Sequence, residues 1–488
     1  MGEKCTFELL EIEIVEVSLV NFRKLDTGTR LDPEYYMPEF LAVESTLKDK
    51  KCKKLGDISK AIKSFGAYAL YNQVVLVERG IPFIRCKDIK EGFVDFSDVQ
   101  YIDEATNELL NKSSVNPSMV MLTMSGTVGN SAIAANNWQY PINSNQDIAK
   151  IETNNSVNPY YLTVFLNSKY GMAQTKRLPV GSIQQHIFLW QLKELLVFTP
   201  TNEFQSIIEN IYIKAINSLS EVDKAYSQAE QTLLSELGLM NWKPKHQLSF
   251  VKNFSESRNA NRMDAEYFQP KYDEIKRVIN RGKCIPLGKC FDLISSNYFD
   301  YVDDGDVGVI KTKQLSGRFI SFEVESKTSK KILEDNGLPE VKDRDVLFAS
   351  MGVGSLGKAN IYYEFENNAR TKFTVDSTIR IMRQNPNSEI GPELLALYLS
   401  SIVGQELIYQ NIVGTSGIIS IYKHYLENLP IPVLDQSIQD ILSRFVKQAH
   451  KSRIKSNKLL DIAKRAVEIA IEKNEGEATR WLSKEVEN

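Results

Sequence analysis

Residue types that carry metal or redox chemistry are scarce in this chain of 488 residues. Its four histidines, at positions 186, 246, 424 and 450, form no HExxH motif and no cluster with metal-ligand spacing. Its five cysteines, at positions 5, 52, 86, 284 and 290, form no CxxC pair. We therefore expect no structural zinc and a reduced, cytoplasmic chain.

Long hydrophobic runs and a strong net charge are also missing. No apolar run approaches the roughly 20 residues that span a bilayer. Residues 9–20 contain three glutamates and no cleavage-site pattern, so we expect no signal peptide. The net charge of -3 argues against a protein that coats nucleic acid by bulk charge. It still allows local basic surfaces, or a partner that neutralises much of the phosphate charge.

The most informative feature of the chain is an internal repeat. Residues 30–36 (RLDPEYY) return as residues 262–268 (RMDAEYF), and Leu55-Gly56 returns at the same offset as Leu287-Gly288. A repeat unit of this length is a whole domain rather than one turn of a solenoid. The sequence therefore predicts two related but non-identical domains.

Further blocks repeat in the same order with small changes of offset. They are residues 84–89 with 310–315, 126–129 with 354–357, 159–171 with 392–404, 180–182 with 413–415, and 204–205 with 438–439. The shared order extends the repeat through nearly all of each half.

Each half mixes short strands with helices. Strand-like runs cover Ala69–Val77, Ile81–Ile84 and Val120–Thr123, and apolar spacing predicts a helix over Pro159–Thr175. Residues 1–23 form a short leading segment, in which the alternation of acidic and apolar residues from Glu11 to Val20 suits one strand.

A long helical pattern follows each half. Apolar positions alternate in steps of three and four in both patterns, which is typical of a heptad seam. The first seam runs through Phe204, Ile208, Ile211, Ala215, Leu219, Val222, Tyr226, Ala229, Leu233 and Leu237. The second runs through Ile438, Leu442, Phe445, Ala449, Arg453, Ser456, Leu460, Ala463, Val467 and Ala470. We expect the two helices to pair with each other; the alternative is that each packs on its own domain.

The repeated series of motifs resembles the specificity subunit of Type I restriction-modification systems. The series comprises the RLDPEYY segment, the IRCKDI strand, the GTVG loop, the GSI segment at 181–183 and the long helix. The resemblance implies an α+β fold with two tandem target recognition domains, separated by a pair of long antiparallel coiled-coil helices in a pseudo-two-fold repeat. It implies domain boundaries at 1–200, 201–245 (central spacer helix), 246–434 and 435–488 (C-terminal spacer helix and tail).

The same resemblance implies a non-catalytic role. Each domain would read one half of an asymmetric, bipartite site in double-stranded DNA, while the helices set the spacing and dock adenine methyltransferase subunits, two copies being expected. A restriction and translocase subunit can join such complexes. No cofactor is expected in this chain, because S-adenosylmethionine and ATP would bind the partner subunits.

Candidate DNA-binding residues fall in the repeated blocks. Arg85, Lys87, Lys311 and Lys313 occupy matching places and suit phosphate contacts; a solvated basic strand edge is the alternative. The glycine loops suggest close approach of the backbone to DNA, with Ser125, Thr127, Asn130, Ser355 and Lys358 as contacts; ordinary turns are the alternative.

Direct base readers are expected near the end of each domain. In the first domain the candidates are Ser182, Gln184, Gln185 and His186, because glutamine pairs bidentately with adenine. In the second they are Thr415, Ser416, Lys423 and His424. For any single histidine a structural role is the simpler interpretation.

The faithfully repeated residues point to structure rather than to base readout. Arg30, Asp32, Glu34 and Tyr35 recur as Arg262, Asp264, Glu266 and Tyr267, and base readers would differ between the halves. We expect an ion-pair and packing cluster that anchors each domain on the long helices.

Two motifs imitate nucleotide or cofactor sites. Residues 352–358 nearly spell a P-loop, but Ala359 stands where Ser or Thr must follow the lysine. Asn158-Pro159-Tyr160 lacks one proline of a methyltransferase motif, and Pro159 suits the first position of a helix. Two rival functions remain open, namely a nucleotide-using enzyme built on residues 352–358 and a protein-binding scaffold without sequence-specific DNA contact.

Overall fold

The computed structural model describes residues 30, 32–64, 73–179, 186–367, 370–414 and 418–486 of the chain. They form two compact units of mixed α and β structure. The first unit comprises Met1–Asn217 and Lys455–Asn488, and the second comprises Ser218–Ile454. The predicted strand in residues 1–23 lies outside the described residues. Among the described residues, none of the helices combines the length and apolar character needed to cross a bilayer.

In the first unit, the described strands form three sheets. A four-stranded antiparallel sheet has the order Ser59–Lys63, Ile148–Thr153, Val120–Thr123, Ser131–Ile133. A second sheet has the order Leu76–Val77, Gln100–Ile102, Ile81–Ile84, Asn143–Ser144, and its last two strands are parallel. Cys52–Lys54 pairs with Leu196–Phe198. The predicted strands at 81–84 and 120–123 are confirmed, while part of the predicted strand at 69–77 lies outside the described residues.

The first unit also contains six shorter helices among its described residues. They are Pro38–Lys48, Glu104–Leu109, Pro159–Asn167, Lys169–Arg177, Leu189–Lys193 and Glu475–Val486, with 3-10 turns at Pro33–Tyr36, Cys86–Asp88 and Asn111–Ser113. The core cluster joins sheet residues such as Leu122 and Ile151 with Phe165 and Leu166 of a helix, all fully buried. Asn158 caps the helix that begins at Pro159, which confirms the structural interpretation of the Asn-Pro-Tyr motif.

The predicted helix over 159–175 is wrong in one respect, because it is broken at Ser168. This residue has extended backbone angles, and its hydroxyl donates to the carbonyl of Phe165. A Cβ at Gly171 would collide with the carbonyl oxygens of Phe165 and Leu166, so only glycine allows the second helix to start this close to the first. Apolar spacing alone does not reveal such a corner.

In the second unit, the main sheet is again four-stranded and antiparallel. Its order is Phe291–Ser295, Ile379–Gln384, Val346–Ala349, Ala359–Ile361. A three-stranded sheet has the order Lys327–Thr328, Val307–Ile310, Lys372–Val375, and smaller pairs join Cys284–Pro286 with Pro430–Pro432 and Leu315–Ser316 with Phe319–Ile320. Its helices are Phe254–Ala260, Pro270–Ile279, Leu287–Cys290, Lys330–Asp335, Pro392–Ser400, Ile402–Gln410 and Lys423–Glu427, with 3-10 turns at Ala265–Phe268, Thr312–Gln314 and Glu364–Glu366.

Both predicted long helices are present. They span Asn202–Glu236 and Gln436–Glu472, and the boundary between the two units falls within each of them. The first long helix ends at Glu236, and shortly after it Gly238 adopts a positive φ and donates its N–H to the carbonyl of Ser235.

Most predicted seam positions of these helices are buried. In the first unit, Ile208, Ala215, Ala463 and Val467 belong to one apolar cluster that also contains residues of the sheets. In the second unit, Leu233 and Leu442 share a cluster with the main sheet. The helices therefore pack into the core of each unit, and their pairing along a coiled-coil seam stays a prediction.

Candidate nucleic-acid interface

A pocket of about 380 Å³ in the first unit is lined by residues from two of the repeated sequence blocks, 84–89 and 126–129. It is lined by Phe83, Arg85, Cys86, Lys87, Gln100, Ser125, Gly126, Thr127, Asn145 and Asp147. Four of these, Arg85, Lys87, Ser125 and Thr127, are predicted site residues. Asn145 and Asp147 are new, since no motif in the sequence marks them.

Converging strand ends build the pocket. Strand Ile81–Ile84 runs parallel to Asn143–Ser144, and the N–H of Asn145 donates to the carbonyl of Ile84 at 2.9 Å. The carbonyl of Asp147 accepts from the N–H of Met124 at 2.8 Å and from the thiol of Cys86 at 3.2 Å. Polar side chains that follow these strands therefore meet at one edge of the sheet.

The cations at the rim of the pocket are held by carboxylates of the same unit. The Arg85 guanidinium donates to both oxygens of Asp88 at 3.1 Å and also to the carbonyl of Asp98. Lys87 forms an ion pair with Asp98 in which both side chains are more than half exposed. An exposed pair of this kind contributes about 1 kcal/mol or less, so Lys87 can exchange Asp98 for a phosphate at little cost.

The glycine loop over Gly126–Gly129 is open on one side and packed on the other. Gly126 and Gly129 both have positive φ, but a Cβ on Gly126 would meet nothing within 4 Å, whereas one on Gly129 would collide with the hydroxyl of Thr175. Thr127 donates to the carbonyl of Cys86 and Asn130 donates to that of Ile89. Both side chains thus fasten the loop, and their contact with DNA stays a prediction.

Of the predicted base readers in the first half, the structure describes one. His186 pairs with Ser125 through an antiparallel bridge, and its Nδ1 lies 3.6 Å from a carboxylate oxygen of Asp147. It therefore lies beside the pocket. Ser182, Gln184 and Gln185 lie outside the described residues.

A buried polar network lies behind the pocket. Lys150 is fully buried, and its ammonium donates to the hydroxyl of Ser144 at 2.8 Å and lies 3.5 Å from that of Ser113. Burial lowers the pKa of Lys150 to about 7, and the positive charge of nearby Lys63 lowers it too. Burial raises the pKa of the Cys86 thiol to about 11, so this thiol is a structural group rather than a nucleophile.

The second unit places its predicted cations on a similar framework. Lys313 pairs with Glu325, and the Lys311 ammonium lies 4.1 Å from the centre of the Tyr301 ring. In the loop Gly352–Gly357, Gly354 faces open space and Gly357 packs on Gln405, and Ser355 donates its N–H to the carbonyl of Gly352. Lys358 follows this loop directly.

The loop over residues 352–358 has the wrong surroundings for a P-loop. It joins the antiparallel strands Val346–Ala349 and Ala359–Ile361 as a hairpin. A phosphate-binding loop needs a helix immediately after it, whose N-terminus faces the phosphates. This geometry disfavours the nucleotide-using enzyme.

Lys423 and His424, two further candidates of the second half, contact residues of their own short helix. Lys423 lies in the helix Lys423–Glu427 at 3.7 Å from Glu427, and the His424 ring lies 4.1 Å from that of Tyr425. Thr415 and Ser416 lie outside the described residues. Ser420, which no sequence signal marks, pairs with Met351 beside the glycine loop.

The repeated Arg-Asp clusters are ion-pair and packing centres, as predicted, but their partners are short helices. Arg30 bonds to both oxygens of Asp32 at 2.7 Å and to the carbonyl of Leu178 at 2.8 Å, just after the helix Lys169–Arg177. The hydrogen bond to Arg30 lowers the pKa of Asp32. Arg262 repeats this with Asp264 and the carbonyl of Ile412. The expected anchoring on the long helices is therefore corrected.

The other histidines are structural or exposed. His450 is fully buried between Glu366 at 2.8 Å and the hydroxyl of Tyr226 at 3.2 Å, and His246 lies 3.2 Å from Glu266 at the surface. Within the described ranges, no group of three or more His, Cys, Asp or Glu side chains is placed to hold a metal ion.

Comparison with known families identifies part of the chain. Residues 288–459 match the family model of the Type I restriction modification DNA specificity domain. This region is therefore similar to that family, which confirms the resemblance predicted from the repeated motifs. No curated protein sequence is significantly similar to the chain.

Three solved structures are similar to most of the chain. The crystal structure of the Type-I restriction-modification system S subunit from M. genitalium is 12% identical with a TM-score of 0.39, and the match covers 86% of this chain and 94% of that one. A chain from a study of assembly and conformational transition of the type I R-M system is 13% identical with a TM-score of 0.28 over 86% and 97%. The HsdS subunit from Thermoanaerobacter tengcongensis is 12% identical with a TM-score of 0.28 over 87% and 96%. TM-scores below 0.5 establish no residue equivalences.

Proposed function

We propose that this chain is the non-catalytic DNA sequence-specificity subunit of a Type I restriction-modification complex. Its two halves read the two parts of an asymmetric, bipartite site in double-stranded DNA. The observation that carries the proposal is that backbone hydrogen bonds around the pocket of the first unit have counterparts within residues 288–459, the region that matches the specificity-domain family model.

Three backbone hydrogen bonds support the equivalence of the two frameworks. The bond from Asn145 to Ile84 corresponds to that from Asp376 to Ile310. The bond from Met124 to Asp147 corresponds to that from Ser350 to Thr378, and the bond from Ile187 to Met124 corresponds to that from Ile421 to Ser350. Matching bonds of this kind relate residues without any superposition, and they support a tandem repeat of target recognition domains.

The side chains on this shared framework differ between the halves. Asp147, His186 and Ser125 of the first unit stand where the second has Thr378, Ser420 and Met351. Base-reading side chains must differ if two halves read different sequences, whereas framework residues need not. One chain with two such halves suits an asymmetric site, in contrast to a symmetric dimer on a palindrome.

The long helices suit a spacer in which two antiparallel helices set the distance between half-sites. Residues 204–215 share a cluster with 460–471 in the first unit, and residues 222–225 share one with Ala449 in the second. The start of one helix thus meets the end of the other, as in an antiparallel pair. We propose that these helices also dock two adenine methyltransferase subunits, which carry the S-adenosylmethionine site, and that a restriction and translocase subunit binding ATP can join.

Lengthening both helices should change the tolerated spacer. Seven residues inserted after Asn217 and seven after Ile454, at the unit boundaries, add two helical turns, or about 10 Å. At 3.4 Å per base pair this is about 3 base pairs. The preferred spacer is expected to grow by about that amount, measured by selection from duplexes in which the spacer length varies.

A matched control keeps the helices intact. The same seven residues inserted in the exposed segment 243–249 leave both helices at their original length and should leave the spacer unchanged. An unchanged spacer after insertion into both helices would contradict the proposal that the helices set the distance between the half-sites.

Selection from randomised DNA tests the function itself. The full chain, co-expressed with its methyltransferase subunits, is mixed with a duplex library that contains two randomised blocks. We expect enrichment of two different short sequences at a fixed spacing. No enrichment, with the complex intact, would contradict sequence-specific reading and favour a protein-binding scaffold.

A further inference from the structure

Asp147 is an acidic residue whose backbone is fixed at the pocket of the first unit. Its carbonyl accepts hydrogen bonds from the N–H of Met124 and from the thiol of Cys86, which fixes its peptide group. The side chain remains 18% exposed, so a ligand can reach it. A fixed and partly exposed acceptor is the kind of group that reads a base edge without reorganising.

Among the described residues, few donate hydrogen bonds to the acceptors of this pocket. The Asp147 carboxylate has His186 Nδ1 near it at 3.6 Å, which is longer than a hydrogen bond. The Oδ1 atom of Asn145, which also lines the pocket, is buried and accepts no hydrogen bond from the described residues. Acceptors left without donors cost free energy, so this pocket favours a ligand that supplies N–H groups.

The second unit has a different residue and different hydrogen bonds at the position that corresponds to Asp147. There Thr378 replaces Asp147, and its N–H donates to Asp376, the counterpart of Asn145, at 3.0 Å. The hydroxyl of Thr378 donates to the same oxygen. The carboxylate of the second pocket is therefore satisfied from within, whereas that of the first is available.

The edges of the bases decide which ligand fits an available carboxylate. In the major groove, cytosine presents its N4 amino group and adenine its N6 amino group, whereas guanine O6 and thymine O4 are acceptors that a carboxylate repels. We propose that Asp147 accepts a hydrogen bond from the exocyclic amino group of a cytosine or adenine in the first half-site, and so sets the base at that position. This inference rests on the proposed function.

The rim of the pocket suits this role for a negative side chain. Arg85 and Lys87 line the same pocket and offset the repulsion between Asp147 and the phosphates. They are held by Asp88 and Asp98, which do not line the pocket. Asp98 therefore offers a matched control, because it is a carboxylate of the same rim that has no place in base reading.

The test combines DNA that lacks one exocyclic amino group with a protein variant that lacks the Asp147 carboxylate. The full chain with its methyltransferase subunits first selects its half-sites from the library. Each cytosine of the first half-site is then replaced by 2-pyrimidinone and each adenine by purine, which lack the exocyclic amine. For the wild type we expect at least one position at which affinity falls about 10- to 100-fold beyond the effect on base pairing.

In Asp147→Ala that position should show no loss beyond the effect on base pairing, while losses at other positions persist. Asp98→Ala should keep the wild-type penalty at every position. If every penalty persists in Asp147→Ala, the inference is overturned. Should Asp147→Ala fail to fold, Asp147→Leu keeps the bulk of the side chain without a hydrogen-bond acceptor and gives the same two outcomes.

The two levels of the proposal fail separately. A wild-type complex that selects no sequence contradicts the proposed function. A wild-type complex that selects two half-sites, with penalties unchanged by the substitution at Asp147, contradicts only the reading assigned to this residue.

Discussion

Leu442→Asp is expected to unfold the second unit. Leu442 is fully buried in the second long helix, in the cluster that holds Leu233, Leu394 and Ile431. The substitution removes a buried leucine and introduces a carboxylate into apolar surroundings. The two effects together lower the free energy of unfolding by about 5 kcal/mol or more, which equals the whole stability of many domains.

A substitution on the exposed side of the same helix serves as a control, because it introduces the same charge without placing it in the core. Gln448→Asp introduces the same carboxylate at an exposed position six residues along the helix. It is expected to change stability by less than about 1 kcal/mol. Denaturant unfolding of both full-length variants measures the difference, and equal stabilities would contradict the placement of Leu442 in the core.

Lys150→Met is expected to stabilise the first unit by about 2–4 kcal/mol at pH 7. The lysine is fully buried with hydroxyl partners only, and burial lowers its pKa from the ordinary 10.5 to about 7. Methionine fills a similar space without a charge. Ser113 and Ser144 keep hydrogen bonds to each other's carbonyl groups, so neither hydroxyl is orphaned.

The buried lysine also makes the stability of the wild type depend on pH in a predictable direction. Between about pH 7 and 10.5 the unfolded chain holds a proton on Lys150 that the folded chain has released, so stability rises with pH. The contribution of this group is at most about 1.4 kcal/mol per pH unit. Lys150→Met should remove it, and the two proteins should converge in stability near pH 10.

Lys63→Met serves as the matched control. Lys63 stands opposite Lys150 on the neighbouring strand, but it is only partly buried. Its replacement removes one lysine and should leave most of the pH dependence in place. If the free energies of unfolding of the wild type and of Lys150→Met changed equally with pH between pH 7 and pH 9, the prediction of a neutral buried lysine would be contradicted.

The long helices could be predicted closely from the sequence. A heptad pattern repeats one physical requirement over thirty or more residues, so single exceptions such as Arg453 and Ser456 do not hide it. The break at Ser168 could not be predicted in this way, because it depends on the contact of Gly171 with the carbonyls of the preceding helix.

The candidate site could be predicted only where the two halves are alike. Arg85 and Gly126 stand in repeated motifs, and both line the pocket. Asp147 stands where the halves differ, and it reaches the pocket through a parallel strand pair that joins residues some sixty positions apart. The internal repeat of the sequence reveals the residues that build the shared framework. It cannot reveal the side chains that would distinguish two half-sites, because those side chains differ between the halves.

A map of adenine methylation in the host genome, with and without this gene, tests the central claim most directly. We expect one split motif, methylated on both strands, to lose its methylation when the gene is removed, while every other motif stays methylated. An unchanged map in a strain whose partner methyltransferase is active would contradict the role of this chain as a DNA sequence-specificity subunit.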